Sequence, residues 1–294
     1  MGDSLLIFNP MAGPRRSKRL RAALAHMTSH GMSVIVCETA GPRDADRIAR
    51  RSTDCDVVIA AGGDGTINEI VNGLRDRDDD CTLGIVPLGT ANVLARELGI
   101  NPMSPDTVAD TILAGNRRPI SLGHANGRHF VMMSGIGFDA HVVANVNLRI
   151  KRRFGKLAYV LRSLVELVEY KPRTYRVLID GHLELASSVV IANGRYYGGP
   201  FVLAPDASLE SADLQVCLFR RTGRWNALRY LWGMLSGRLS RFDDFDVVQA
   251  QALTVEQGPG CDSDEPVQGD GDIVCKLPVQ IGISDKILPV LQPA

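Results

Sequence analysis

The first 120 residues alternate short apolar runs with stretches in which apolar side chains recur every three or four residues. The apolar runs predict buried strands, since a strand that is covered on both faces shows no polar alternation. The stretches between them predict amphipathic helices. Strands are expected at 5–8, 34–37, 56–61 and 83–86, and helices around 20–27, 45–49, 67–74, 90–98 and 105–114. This alternation predicts an α/β domain with a parallel sheet and helices on both of its faces.

From about residue 118 the pattern changes to short strands joined by tight turns. Asn126-Gly127 and Asp180-Gly181 are dipeptides typical of β-hairpins. Strands are expected at 175–179, 183–192, 213–219, 245–255, 273–277 and 279–283, with helical insertions at 139–170 and 224–237. This half is therefore predicted to be a mainly antiparallel β-sandwich. The change of period predicts domains at 1–120 and 121–294, and the last residues could return to the first domain.

Composition narrows the class of protein. Of the 294 residues, 45% are hydrophobic and 22% are charged, which is typical of a soluble globular protein. The apolar run near the N-terminus is too short for a signal peptide, and six scattered cysteines without a C-x-x-C pair favour reduced thiols in the cytoplasm. Lys and Arg number 33, as do Asp and Glu, so the zero net charge argues against a nucleic-acid partner bound through bulk charge.

The clearest chemical signal is Gly62-Gly63-Asp64-Gly65-Thr66, which follows a predicted buried strand and begins a helix. A helix N-terminus offers free N–H groups to a phosphate, and glycines let the backbone approach it closely. Asp64 could hold Mg²⁺. The alternative is a tight strand-to-helix turn in which Thr66 is the N-cap. The loops 9–13 and 87–92 follow other strands of the same parallel sheet, so the three loops predict a nucleotide crevice at its carboxyl edge.

These loops carry a family resemblance. Asn-Pro-x-x-Gly at 9–13, Gly-Gly-Asp-Gly-Thr at 62–66 and Pro-Leu-Gly-Thr-Ala-Asn at 87–92 resemble the nucleotide-binding loops of the diacylglycerol kinase catalytic family, which includes bacterial lipid kinases and sphingosine kinases. The resemblance continues through 135–140, 193–199, 204–207 and 268–272, so it spans nearly the whole chain in order. The glycine loop alone also occurs in NAD kinases and phosphofructokinases, but the ordered set is more specific.

The resemblance implies a three-layer α/β domain and a β-sandwich, as in the NAD kinase and diacylglycerol kinase folds, with the active site in the cleft between them. It implies ATP and Mg²⁺, and transfer of the γ-phosphoryl group to the hydroxyl of diacylglycerol, a sphingoid base or a related lipid. Asp64 would serve the metal–phosphate network and Asp270 would be the general base. The nucleotide would lie against Asn9, Thr39, Gly62, Gly63, Asp64, Gly65, Thr66 and Thr90.

The chain departs from the family pattern at several positions. Val93 and Ser121 stand where many members have carboxylates, and Asp272 replaces a glutamate. Ser211-Ala212 aligns with a Mg²⁺-binding Asp-Gly pair of some bacterial members, so no second metal site is predicted. Two alternatives stay open: an NAD kinase-like enzyme, and a catalytically weak regulator that binds a nucleotide or a lipid.

Two stretches, 140–165 and 214–242, contain arginines, lysines and aromatic residues but no acidic residue. This mixture suits a helix that lies on an anionic membrane surface. A lipid kinase of phospholipid biosynthesis would bind such a surface as a peripheral protein and find its substrate there. The alternative is a solvated helix face whose Trp and Leu side chains turn into the core. An exposed strand edge of the sandwich could pair in a homodimer.

Overall fold

The computed structural model describes residues 4–10, 14–75, 77, 81–145 and 171–294. The chain divides into two compact units. The first contains Met1–Ser121 and Asp285–Ala294, and the second contains Leu122–Ser284. Most of the predicted helical insertion 139–170, including its basic residues between 149 and 162, lies outside the described residues.

The first unit is built on a parallel sheet with the strand order β2-β1-β3-β4. Its elements are β1 Ser4–Phe8, α1 Pro14–Ser29, β2 Val34–Glu38, α2 Asp44–Arg51, β3 Val57–Gly62, α3 Asp64–Leu74, β4 Thr82–Pro87, α4 Val93–Glu97 and α5 Pro105–Ala114. The apolar runs are buried as their lack of alternation predicts, with Leu6, Ile7 and Ile59 fully inaccessible. The predicted α/β domain with a parallel sheet is confirmed.

A returning segment of the chain completes this unit. The last strand, β18 (Val279–Leu291), pairs with β4 in parallel through Val290 and Leu83. Lys286 Nζ donates to the carbonyl oxygens of Leu74 (2.9 Å) and Arg75 (3.1 Å). Since the last carbonyls of a helix lack partners within the helix, Lys286 satisfies the C-terminal end of α3.

The second unit is mainly antiparallel. Its elements are β5 Arg117–Ala125, which begins in the first unit, β6 Arg128–Phe130, β7 Met133–Ile136, α6 Phe138–Asn145, β8 Tyr175–Ile179, β9 His182–Ala186, β10 Ser188–Ala192, β11 Tyr196–Tyr197, β12 Phe201–Val202, β13 Leu214–Phe219, α7 Arg224–Leu235, β14 Phe245–Ala250, β15 Ala252–Gln257, β16 Pro266–Gly269, β17 Asp272–Lys276 and the first part of β18.

Two layers of strands enclose the core of this unit. One layer has the order β14-β13-β10-β7-β16-β17, and the other contains β18-β15-β8-β9. Ile136, Val189 and Val216 of the first layer form one buried cluster with Val177 and Val255 of the second. The predicted antiparallel β-sandwich is confirmed.

Several elements differ from their predicted bounds. The predicted strand 183–192 is two strands, because Ser187 interrupts it and its hydroxyl bonds the carbonyl oxygens of Phe219 (2.9 Å) and Arg221 (2.8 Å). The predicted strand 245–255 likewise divides at Gln251. The helix expected at 90–98 is shortened to α4, because Asn92 adopts a left-handed backbone (φ 49°) immediately before it.

Across the described part of the chain, no helix is both long and apolar enough to cross a membrane.

Candidate functional site

The structure brings three loops of the first unit together at the carboxyl edge of its parallel sheet. Asn9 follows β1, and its Nδ2 donates to Thr66 Oγ1 at 3.3 Å in the first turn of α3. The loop after β3 meets the loop after β4 at Gly63 and Gly89. This arrangement agrees with the rule that parallel strands bring their following loops to one edge.

The contact between the second and third loops depends on glycine. A Cβ atom added at Gly63 would lie 3.0 Å from Gly89 Cα, and one added at Gly89 would lie 2.6 Å from Gly63 Cα. A Cβ atom at Gly62 would lie 2.5 Å from Thr66 Cβ. Side chains at these positions would therefore push the loops apart, whereas glycines leave the backbone available for a close approach by a ligand.

The start of α3 is arranged as an anion-binding site would be. The helix begins at Asp64, and Gly63 is its N-cap with no side-chain hydrogen bond. The alternative in which Thr66 is the N-cap is wrong, since Thr66 is the third helical residue and its hydroxyl accepts a bond from Asn9. The first N–H groups of a helix have no intrahelical acceptor and lie at the positive end of its dipole, which suits a phosphate.

Asp64 links the starts of two helices. Its Oδ1 accepts a hydrogen bond from the backbone N–H of Val93 at 2.6 Å, at the first residue of α4. Burial raises the pKa of Asp64, while the bond from the Val93 N–H acts in the opposite direction. One oxygen of this carboxylate is therefore committed to the protein's own backbone.

The two positions at which the chain lacks a carboxylate that many family members have, Val93 and Ser121, are both buried. The Val93 side chain packs in the core while its N–H holds Asp64, and Ser121 is also buried. Among the described residues, no group of three or more His, Cys, Asp or Glu side chains could hold a metal ion. The carboxylate in the three loops of the first unit is that of Asp64. Nearby, the buried Oδ1 of Asn92 has no hydrogen-bond donor within the described ranges.

Thr39 and Thr90 belong to the same edge. Thr39 follows β2, and its N–H donates to the Phe8 carbonyl oxygen at 2.9 Å. Thr90 is exposed, and its hydroxyl accepts a bond from Arg16 Nη2 at 3.1 Å. Arg16 was not predicted from the sequence, although basic residues directly after the first loop are a signal that could have identified it. Arg16 places a guanidinium group beside the loops, where it could bind a phosphate oxygen.

The second unit positions Asp270 in the turn between β16 and β17, with a left-handed backbone (φ 51°). Its carboxylate accepts hydrogen bonds from three consecutive backbone N–H groups. Oδ2 accepts from Val131 at 2.7 Å, and Oδ1 accepts from Met132 at 2.8 Å and Met133 at 3.1 Å. Because a carboxylate has roughly four lone-pair sites, these donors fix the orientation of the Asp270 side chain.

A polar chain supports this turn. The Gly271 N–H donates to Gln268 Oε1 at 2.8 Å, and Gln268 Nε2 donates to Asp139 Oδ2 at 2.7 Å. The Tyr197 hydroxyl donates to the other Asp139 oxygen. Burial raises the pKa of Asp139, and burial together with the Asp139 charge raises the pKa of Tyr197. Three segments that carry the family resemblance, 135–140, 193–199 and 268–272, therefore meet in one network.

A second buried cluster, centred on Glu265, was not predicted from the sequence. Its Oε1 accepts bonds from Arg173 Nε at 2.6 Å and the Asp262 N–H at 2.9 Å, and its Oε2 accepts from the Tyr175 hydroxyl at 2.8 Å. His141 Nε2 lies 2.9 Å from the same Oε2. Burial alone would raise the pKa of Glu265, but hydrogen bonds from His141, the Asp262 N–H and Tyr175 outweigh it and lower the pKa to about 2. No local motif indicates this cluster, since its members are far apart in the chain.

Comparisons with known proteins agree with this arrangement of loops and strands. Residues 3–125 match the family model of the diacylglycerol kinase catalytic domain, and residues 132–292 match the model of the YegS C-terminal NAD kinase β-sandwich-like domain. A diacylglycerol kinase of Bacillus subtilis is 32% identical over 262 residues, which cover 87% of this chain and 86% of the relative. A diacylglycerol kinase of Mycobacterium tuberculosis is 29% identical and covers 100% of this chain and 96% of its own length.

The same fold occurs among solved structures. The crystal structure of a diacylglycerol kinase from Bacillus anthracis superimposes with a TM-score of 0.80 at 24% identity. The superposition covers 99% of this chain and 97% of that chain.

Proposed function

We propose that this chain transfers a phosphoryl group from ATP to a lipid alcohol. The chain belongs to the diacylglycerol kinase family and is therefore a phosphotransferase. The observation that carries the proposal is the contact between Gly63 and Gly89, because it joins the glycine loop to a second loop at the carboxyl edge of the sheet. Diacylglycerol, a sphingoid base or a related lipid would supply the hydroxyl group.

The nucleotide would bind to the first unit through its phosphates. The free N–H groups at the start of α3 and the glycine backbone would bind phosphate oxygens, and Arg16 would add a positive charge. Asn9, Thr39 and Thr90 would contribute side-chain hydrogen bonds beside the same loops. The remaining nucleotide contacts would come from Gly62, Gly63, Asp64, Gly65 and Thr66.

The residues of the first unit fit a Mg²⁺ ion that arrives with the nucleotide. In kinases this ion is bound by one or two carboxylates together with substrate phosphates, and Asp64 is the carboxylate that these loops offer. The buried Oδ1 of Asn92 accepts no hydrogen bond from the residues that the structure describes, so it would be a second oxygen available to help hold this ion. When bound, Mg²⁺ neutralises phosphate charge that develops during transfer.

Asp270 would act as the general base. It would take the proton from the lipid hydroxyl as that oxygen forms a bond to the γ-phosphorus and the bond from the γ-phosphorus to the ADP oxygen breaks. The three N–H donors from Val131 to Met133 support this role, because they hold the carboxylate in one orientation before the substrate binds.

The cellular setting proposed with this activity is peripheral. The protein would be cytoplasmic and would meet its substrate at an anionic membrane surface, as a step of phospholipid biosynthesis. A homodimer through an exposed strand edge stays a prediction.

The reaction is tested with ATP labelled at the γ-phosphoryl group, a panel of lipid alcohols in mixed micelles, and NAD in a parallel tube. We expect label in a lipid, and the labelled lipid identifies the substrate class. Label in NAD alone would replace the proposal with an NAD kinase activity. Nucleotide binding without transfer to any acceptor would contradict the proposed reaction.

Asp64→Asn tests the metal role in the same assay. The Asn side chain keeps one oxygen for the Val93 N–H but removes the negative charge. We expect turnover to need more Mg²⁺ and nucleotide binding to weaken, while Asp243→Asn, an exposed carboxylate of the second unit, should titrate like the unmodified protein. An unchanged Mg²⁺ titration for Asp64→Asn would remove Asp64 from the metal site.

A further inference from the structure

Helix α7 presents a row of large apolar side chains to solvent. Trp225, Leu228, Trp232 and Leu235 are exposed to 77%, 38%, 52% and 52%. Their spacing of three, four and three residues places them on one face of the helix. We call these four residues the α7 apolar face. Soluble proteins rarely leave so large a contiguous apolar surface without a binding role.

The opposite side of α7 fixes this orientation. Tyr230 is buried and packs edge to face against Phe219, with ring centroids 5.0 Å apart. Arg229 forms an ion pair with Asp244. A Cβ atom at Gly233 would lie 2.7 Å from the Phe242 ring, so the helix lies very close to its support. The alternative in which the tryptophans of this stretch turn into the core is therefore wrong.

The charges beside the α7 apolar face are positive. Arg224, Arg238 and Arg241 are exposed and have no acidic partner in the part of the chain that the structure describes, and Arg238 lies 5.7 Å from the Trp232 ring. The other arginines of the region have acidic partners. Arg220 pairs with Glu184 and Asp246, and Arg221 and Arg229 share Asp244. The surplus of positive charge thus lies next to the exposed apolar residues.

We propose that the α7 apolar face, flanked by Arg224, Arg238 and Arg241, docks the protein on an anionic lipid bilayer. Tryptophan rings favour the headgroup level of a membrane, and a helix with apolar and cationic residues lies in the plane of the interface. Each arginine near an anionic surface adds attraction that salt weakens. Because α7 is anchored before it meets the lipid, docking requires no folding of the helix. This inference rests on the proposed function, which places the substrate in a membrane.

The two tryptophans of the chain make the test direct, since both belong to the α7 apolar face. The full chain is mixed, without ATP, with vesicles of phosphatidylcholine alone or with added phosphatidylglycerol. We expect the tryptophan emission to shift to shorter wavelength with the anionic vesicles, and the shift to weaken as salt is added. Co-sedimentation with those vesicles without any shift would overturn the proposal, because docking would then occur elsewhere. A shift that appears without vesicles and grows with protein concentration would also overturn it, since a second copy would be the occupant.

Two variants separate the apolar and the electrostatic contributions. Leu228→Ser/Leu235→Ser keeps both tryptophans, and each substitution should weaken partitioning on the order of tenfold. Ile35→Ser/Met103→Ser removes exposed apolar side chains of the first unit and should bind like the unmodified protein. Arg224→Gln/Arg238→Gln/Arg241→Gln should weaken binding to anionic vesicles roughly 100-fold and reduce the salt dependence. Equal binding by all three variants would overturn the assignment to α7.

Kinase activity in detergent micelles separates this inference from the proposed function. Transfer to a lipid in micelles without binding to vesicles would overturn the docking proposal and leave the proposed phosphoryl transfer intact. Vesicle binding through α7 without transfer to any lipid would support docking and contradict the proposed function.

Discussion

Two hairpin turns of the second unit have the same local sequence and nearly the same backbone. Asp180-Gly181 joins β8 to β9, and Asp270-Gly271 joins β16 to β17. The aspartates have φ values of 47° and 51°, and the glycines that follow have φ values of 81° and 87°. Both are turns that the Asp-Gly signature favours, because the two central residues need a left-handed backbone.

The two turns differ in what faces them. The Asp180 side chain is exposed to solvent, whereas the Asp270 carboxylate accepts three N–H bonds from Val131, Met132 and Met133. A segment more than 130 residues away in the chain thus converts a common turn into a fixed carboxylate. The local sequence therefore determines the turn, while a backbone segment far away in the chain determines whether the aspartate carboxylate is held in one orientation.

The largest expected difference between the turns is in phosphoryl transfer. Asp270→Asn removes the proposed base and places an amide NH₂ group against backbone donors, so we expect turnover to fall by roughly 10²–10⁴-fold. Asp180→Asn is the matched control, because it makes the same change in an exposed turn, and it should leave turnover unchanged. Transfer to a lipid alcohol and ATP binding are measured for both variants. Equal turnover of the two variants would mean that the distant N–H groups give Asp270 no special role.

The next largest effect is on stability and concerns Glu265. This residue comes directly before β16, and Asp270 comes directly after the same strand. Glu265→Gln keeps the shape but removes a fully buried charge that Arg173 and Tyr175 surround, which would leave the Arg173 charge without its buried partner. We expect the free energy of unfolding in urea to fall by about 3–5 kcal/mol. Glu256→Gln, on β15, is an exposed control and should have little effect. A variant as stable as the parent would show that this cluster does not support the β16 strand.

The same cluster predicts a dependence of stability on pH. The pKa of Glu265 is lowered from 4.5 to about 2, so folding favours the charged form. This contribution is fully present above the unfolded pKa and is lost as the pH falls from 4.5 towards 2. When urea unfolding is measured at a series of pH values across this range, the free energy of unfolding should fall more steeply with decreasing pH for the parent chain than for Glu265→Gln. Parallel curves would assign acid sensitivity to other groups.

A smaller loss is expected for Gln268→Leu. The leucine fits the side-chain volume but leaves the Gly271 N–H and one oxygen of Asp139 without this partner. We expect destabilisation of about 2–3 kcal/mol, since unsatisfied buried groups are costly. Gln249→Leu, on the exposed side of β14, is the control in the same unfolding assay. If Gln268→Leu also lowers turnover at saturating substrate, the hydrogen bonds of Gln268 position the Asp270 turn for catalysis. Unchanged turnover would mean that these bonds contribute to stability alone.

The smallest effect should be shared by both turns. Gly181→Ala and Gly271→Ala each force a side chain into the left-handed region, so each should cost about 1–2 kcal/mol of unfolding free energy. Agreement between the two values would confirm that the turns are equivalent in their backbone. A much larger loss for Gly271→Ala would mean that tertiary contacts also constrain this glycine.

The sequence predicted the parallel sheet, the sandwich and the turns because each has a short-range signature. Continuous apolar runs such as the one at Val57–Gly62 indicate strands buried on both faces, and Asn126-Gly127 indicates a hairpin. The strand β7 (Met133–Ile136) was missed, since Met-Ser-Gly-Ile is short and contains a glycine. The division at Ser187 was missed because the bonds that cause it go to carbonyl oxygens of β13 and of the residues that follow it.

For the candidate site, the fold rule was enough to predict which loops lie at one edge of the sheet, whereas contacts between segments far apart in the chain were not predicted. Parallel strands bring their following loops to one edge, so the loops that contain Asn9 and Thr66 were expected at the same edge of the sheet, but the hydrogen bond between these two side chains was not predicted. In contrast, Tyr197 and Gln268 meet at Asp139 from positions 58 and 129 residues away, and no pattern in one sequence records such a pairing. The bond from Val93 to Asp64 was likewise not predicted, because it uses a backbone N–H that every residue type except proline carries.

The return of the last strand to the first unit sets an order for synthesis on the ribosome. Val290 lies beside Leu83, and Lys286 completes the end of α3, so the first unit receives these parts after the whole second unit has been translated. Until then the open edge of β4 exposes unpaired backbone groups, which are a template for pairing with other nascent chains. The second unit is in effect an insertion into the first, and the unit that begins to emerge first is the last to be completed.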